Sequence, residues 1–185
     1  DQDTVLLRGT YDVAGGDFDY IVTPRIDSYL VDNSLEIQGV QGNFLVTGFN
    51  VTIKFPDGVI PVLDGELPNP FFVTSNAFIP VNLEADTVSS GAALARVIPL
   101  SYRSAVLNAV NASAFNSIVL DIRATGQTSG GFTQTSPPFS WPVDFCDGCL
   151  GIQCVEPAEL GDPVGCFAGQ DIWPYCDEII PAIAP

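Results

Sequence analysis

Five cysteines fall within the last 40 residues of this 185-residue chain, opening with the C-x-x-C pair Cys146 and Cys149 and continuing through Cys154, Cys166 and Cys176. Thiols so spaced serve either of two chemistries, bridging one another or holding a soft cation. A zinc site favours four thiolate or imidazole ligands in paired short spacings. Here a single C-x-x-C is followed by isolated cysteines, and the chain has no histidine. The pattern therefore reads as a disulfide framework, which belongs to an oxidising compartment. Five cysteines cannot all pair within one chain. Long closures from Cys146 or Cys149 to Cys166 or Cys176 are the favoured pairings, with Cys154 the favoured odd sulfur.

The missing histidine also excludes the serine-histidine and cysteine-histidine nucleophile systems. The 22 acidic residues always offer some carboxylate pair at a hydrolase-like distance, but nothing in the sequence selects one, and solvated surface charge is their ordinary role. No cofactor is expected beyond a weak case for calcium, which takes oxygen ligands at modest geometric cost. Its candidates are Asp12, Asp17 and Asp19 around the Gly15-Gly16 turn, with Asp144, Asp147 and Asp171 as a second group; neither fits an EF-hand loop. The sequons Asn50-Val51-Thr52 and Asn111-Ala112-Ser113 would be open to glycosylation in a eukaryotic secretory route, though the first lies in the clearest strand.

The formal net charge of -16 reflects a shortage of bases: Lys54 and five arginines are all the chain has. Six scattered cations in a negative field repel a polyanion, so nucleic acid and anionic membrane surfaces are poor partners. No apolar run reaches the roughly 20 residues that span a bilayer. Asp1 at the start and the lack of methionine read as a mature product whose leader has been removed, with a lipid anchor before Asp1 left open.

The elements that must position these groups are mostly strands. Period-two alternation is clearest in Phe49 to Phe55, where Phe49, Val51, Ile53 and Phe55 share one face, and in Ile118 to Ala124, where Ile118, Leu120, Ile122 and Ala124 point inward. Further strands are expected at Thr4 to Val13, Phe18 to Thr23, Leu35 to Val40, Phe71 to Ser75, Phe78 to Glu84, Leu94 to Leu100, Phe132 to Thr135 and Phe139 to Phe145. Pro56-Asp57-Gly58 marks a turn, Gly126 and Gly130-Gly131 bracket a hairpin loop, and Pro137-Pro138 breaks a strand. Tyr102, Ala105, Val106, Ala109 and Val110 fall at helical spacing and predict one short helix from Ser101 to about Asn111, capped by Ser101. The fold class is all-β: a β-sandwich, immunoglobulin-like or jelly-roll-like, over residues 1–145, since two amphipathic sheets bury alternating faces against each other. A disulfide-stapled extension follows at 146–178, then an apolar tail at 179–185.

The runs Gly130-Gly131-Phe132, Ser136-Pro137-Pro138-Phe139-Ser140-Trp141-Pro142-Val143-Asp144-Phe145-Cys146-Asp147-Gly148-Cys149-Leu150 and Gly169-Gln170-Asp171 before Cys176 cover about a quarter of the chain. They resemble the carboxyl-terminal signature of uncharacterised exported, lipoprotein-like, cysteine-rich β proteins of myxobacteria and related bacteria. Members of that group often carry two adjacent cysteines where this chain has Cys176-Asp177. The resemblance implies an envelope or extracellular location and brings no activity with it.

Trp141, Phe145, Trp173 and Tyr175 gather in sequence around the cysteines, and Ile179 and Ile180 open a tail that its prolines keep from being helical. Aromatic residues are enriched in interface cores, and an extended apolar tail can add to a neighbour's sheet edge. Trp141, Trp173, Tyr175, Ile179 and Ile180 are thus the interaction candidates. Together these features point to a non-enzymatic extracellular or cell-envelope structural protein. Its partners would be copies of itself or other envelope subunits. The alternative is an adhesion or ligand-binding module, for carbohydrate or protein, with or without calcium.

Overall fold

The computed structural model describes residues 8–13, 18–28, 43–80, 88–147 and 149. Ten strands and one α-helix run in the order β1 (Gly9–Asp12), β2 (Tyr20–Val22), β3 (Arg25–Ser28), β4 (Phe44–Lys54), β5 (Phe71–Ile79), β6 (Ser89–Ala92), β7 (Ala95–Ile98), α1 (Leu100–Asn111), β8 (Ser117–Thr128), β9 (Thr133–Thr135) and β10 (Phe139–Cys146). The fold is mostly β, as expected. A curled sheet has the order β1-β10-β8-β4-β5, with β9 also paired to β8. β1 lies parallel to β10, and the other pairs are antiparallel.

The two longest strands form the middle of this sheet because alternation runs along them, broken in β4 only at Gly48-Phe49. Phe49, Val51 and Ile53 of β4 and Ile118, Leu120, Ile122 and Ala124 of β8 are all buried, and Phe55 packs half-buried at the end of the row. The β4–β8 register shifts between Val46 and Gly48. Such a bulge places one extra residue on one strand and bends the pair. Gly126 sits opposite Val46 on one side and Gln134 of β9 on the other. It is therefore a buried rung of β8, not the edge of a hairpin loop as its type suggested; the turn comes later, at Gly131, whose φ is 82°.

The remaining strands make a two-stranded ribbon in two pieces, β2 with β7 and β3 with β6. Its break falls where Pro24 has no N–H to give, and Ala93 N–H reaches the Pro24 carbonyl across the gap (3.4 Å). Tyr20, Val22, Ala95, Val97 and Ile98 of this ribbon join the core, as do Tyr102, Ala105, Val106 and Val110 of α1.

Two local expectations need correction. Pro99, not Ser101, occupies the helix N-cap, and it offers no side-chain cap; Ser101 lies inside the first turn. The two strands expected at Phe71 to Ser75 and Phe78 to Glu84 are one strand up to Ile79, because the alternation passes through Asn76 and Ala77. Val59 to Leu63 forms loop. The helix packs near the Pro68 loop: its Tyr102 ring lies 4.2 Å from that of Phe71, and its hydroxyl donates to the Pro68 carbonyl (3.1 Å). The strand expected at Leu35 to Val40 lies outside the described residues.

The outer side of the sheet centre is polar. Lys54, the chain's only lysine, donates to Asp121, which also accepts from the Ser140 hydroxyl (2.7 Å). Burial pushes the Asp121 carboxyl up, but the hydrogen bonds from Lys54 and Ser140 and the charges of Lys54 and Arg123 outweigh it and hold the group below its ordinary 3.8. A depressed acid stabilises the fold above its unfolded pKa and loses that contribution as pH falls through its folded value. Lys54→Met is therefore expected to cost about 1–2 kcal/mol above pH ~5, a cost that shrinks below pH ~4. Urea unfolding of both chains across that range checks the sign.

Candidate functional site

The cysteine pair is positioned by β1 and β10. Their parallel register sets Gly9 beside Val143, Tyr11 beside Phe145 and Asp12 beside Cys146. Tyr11 anchors this corner: fully buried, it meets Phe18, Tyr20 and Phe145 edge-on at centroid distances of 5.0, 5.6 and 5.6 Å, and its hydroxyl donates to the Phe18 carbonyl (3.1 Å). Edge-to-face contacts of this kind fix ring orientation as well as burying area. The strand pair is thereby held up to its last residue.

Cys146 is bonded to Cys149, with a Cα separation of 5.7 Å. The bridge is thus the short C-x-x-C closure, not a long one from either cysteine to Cys166 or Cys176. A chain that turns just after β10 brings the two sulfurs together before any distant residue need arrive. Cys154, Cys166 and Cys176 lie outside the described residues, as do Asp17, Asp171, Trp173, Tyr175, Ile179 and Ile180.

Asp12 is buried, with 4% of its surface exposed. A carboxylate oxygen of Asp12 and the sulfurs of Cys146 and Cys149 lie within 4.8 Å of one another, which among the described residues is the grouping close enough to share an ion. Joined to each other, the sulfurs are not thiolates, and one carboxylate falls short of calcium's oxygen-rich shell. Asp19 is not part of this group: it accepts from the Leu100 N–H (2.8 Å) and faces the Arg96 guanidinium at 3.6 Å. Asp144 is engaged by Arg8 at 2.7 Å. A cleft of about 620 Å³ opens beside the bridge, walled by the last turn of α1 (Leu107, Val110, Asn111), Phe115, Phe145 and Cys146.

Trp141, one of the interaction candidates, is a core residue. It is 8% exposed, and its indole N–H donates to the Tyr20 hydroxyl (3.2 Å), tying β10 to the ribbon. The surface apolar residues are others. Leu45 of β4 and Phe78 of β5 are direct cross-strand partners, 44% and 62% exposed, and Phe72, further along β5, is 49% exposed. All three break the alternation on the outward side of the sheet, which is the signal that could have picked them out: a large apolar side chain where period two calls for a polar one.

Compared with known proteins, the chain matches no protein-family model and no curated protein.

Proposed function

We propose that this chain is a non-enzymatic extracellular or cell-envelope assembly protein, a two-layer β-sandwich that associates with copies of itself. The observation that carries this reading is the exposed cross-strand pair Leu45 and Phe78, with Phe72 further along the same face of β5. β5 ends the strand order of the sheet, and among the described residues no strand pairs with its far edge. Exposed apolar residues on a terminal strand are what a monomeric sheet protein avoids and an associating one uses. The curled sheet and the two-part ribbon, which share one core, support the sandwich. The disulfide supports an oxidising compartment. Among the described residues, no helix is long and apolar enough to cross a membrane.

A chain of net charge -16 repels its copies, so association through an apolar face is strengthened by salt. Size-exclusion chromatography with light scattering is expected to show growing oligomer between 0.1 and 1 M NaCl, where the screening length falls from about 10 Å to about 3 Å. Leu45→Ser combined with Phe78→Ser is expected to weaken it at least about tenfold. A strict monomer in every buffer, with and without reductant, overturns the proposal.

The second reading, a ligand-binding module, is favoured by a smaller cleft of about 250 Å³ between β3 and β9, lined by Ser28, Gln134, Thr135 and Ser136 with Ile26 and Pro137. Hydroxyl and amide groups beside an apolar wall suit a sugar ring. Binding to a glycan array by the salt-independent monomer would establish it.

A further inference from the structure

Three observations meet at the end of β10: a short C-x-x-C bridge, a buried carboxyl within 4.8 Å of both its sulfurs, and a cleft with Cys146 in its wall. We infer that Cys146–Cys149 is a thiol-exchange site that takes the cysteine thiol of a peptide lying in this cleft. The inference is independent of the association face on β4 and β5.

The two cysteines differ in exposure. Cys149 is exposed and Cys146 half-buried at the strand end. An incoming thiolate reaches the exposed sulfur first, because exchange requires approach along the sulfur–sulfur axis. The peptide's sulfur bonds to the Cys149 Sγ, the Cys146–Cys149 bond breaks, and its electron pair leaves on the Cys146 Sγ. The proton given up by the peptide thiol is taken by Cys146, with the Asp12 carboxyl beside both sulfurs as the carrier. A second thiol then attacks the peptide sulfur, releasing Cys149 as a thiol and the peptide as a disulfide. In sum, two thiols are oxidised to one disulfide and the bridge is reduced to two thiols. Run backwards, the same steps re-form the bridge and reduce a peptide disulfide to two thiols, which happens where that disulfide is the stronger oxidant.

The helix end and Phe145 shape a recess that Cys146 helps to wall, so a peptide can lie against the protein next to the bridge.

Glutathione, a thiol-bearing tripeptide, is the probe. The full chain with Cys154, Cys166 and Cys176 replaced by serine isolates the pair, and the natural chain run in parallel shows whether those three cysteines are themselves exchange partners. Peptide mapping after acid quenching and alkylation is expected to show Cys146–Cys149 opening in millimolar glutathione within minutes, in both chains. In the isolated-pair chain given oxidised glutathione, Cys146→Ser is expected to take up glutathione on Cys149, releasing the other half as a thiol, roughly tenfold faster than Cys149→Ser takes it up on Cys146, following exposure. Asp12→Asn, which keeps the shape of the side chain, is expected to slow opening about tenfold while leaving that ratio unchanged. A bridge that stays closed for hours, or equal trapping by the two single-cysteine chains, overturns the inference. Opening at the wild-type rate in Asp12→Asn removes Asp12 from it, and a lost trapping ratio in that variant assigns its slowing to a disturbed fold and removes Asp12 equally. Opening confined to the natural chain makes the three downstream cysteines the source of the thiol and overturns the external peptide.

Discussion

Gly126→Ala is expected to lower the stability of the fold by at least about 3 kcal/mol, a large share of what a domain of this size possesses. A Cβ on Gly126 would stand 2.2 Å from the Leu45 carbonyl oxygen and 2.6 Å from Cζ of Phe44, whose ring lies across the glycine on the core side. The nearer of these is backbone, held in the β4–β8 ladder, so it cannot swing away as a side chain would. Overpacking of this kind ordinarily costs about 1–3 kcal/mol, and more when a main chain has to move. Gly48, on the other side of the bulge, is in the same position: an added Cβ would meet the Val73 carbonyl at 2.3 Å and the Phe72 ring at 2.4 Å. Urea unfolding of Gly126→Ala, alone and with Phe44→Leu, separates the two contacts. Phe44→Leu is expected to recover little, because the carbonyl remains. Full recovery would mean that the ring, not the ladder, fixes the glycine.

The second large effect is expected at Asn69, where alanine should cost about 2–3 kcal/mol. β5 pairs with β4 only as far as Val51 and Phe71, yet β4 continues to Lys54. Ile53, fully buried, would have its N–H and carbonyl facing an absent strand. The Asn69 side chain takes that strand's place: its Oδ1 accepts from the Ile53 N–H (2.9 Å), and its Nδ2 donates to the Ile53 carbonyl (2.9 Å) and to Pro61 (3.4 Å). One amide reproduces a ladder rung. Asn69→Asp can accept but not donate, so its loss should fall between that of alanine and none. Hydrogen exchange at the Ile53 amide, faster in Asn69→Ala while distant amides of β8 keep their rates relative to global unfolding, is the direct readout. An unchanged Ile53 amide would show that water replaces the side chain without loss.

Asn69 shows where sequence reading stops. Alternation is a local signal, and it located β4, β8 and β10 because burial on one face writes itself into every second residue. The helix was legible for the same reason at its own period. A side chain standing in for a strand leaves no periodic trace, and Leu67-Pro68-Asn69-Pro70 reads simply as a loop. Gly126 has the opposite difficulty: glycine near other glycines suggests a turn, whereas its actual reason is the ring of Phe44 and the carbonyl of Leu45, neither of which is near it in sequence. The ribbon break at Pro24 was visible, but its partner across Ala93 was not.

The candidate site was half legible. The cysteines announced sulfur chemistry, but spacing cannot rank a short closure above long ones. Asp12 stood among the acids only as a calcium ligand. Its place beside Cys146 depends on the pairing of β1 with β10, a contact between residues far apart in the chain that no local pattern encodes. Trp141 stood as an interaction candidate because aromatic residues cluster near the cysteines, while its hydrogen bond to Tyr20 and its burial put it in the core.

The parallel seam of Gly9–Asp12 against Phe139–Cys146 also has a temporal meaning. A ribosome delivers the first of these segments long before the last, so the seam cannot form during most of translation, and the aromatic corner around Tyr11 must wait with it. Contacts of such high sequence separation make folding slow. Until β10 emerges, the nascent polypeptide lacks both this seam and the Cys146–Cys149 bridge that caps it.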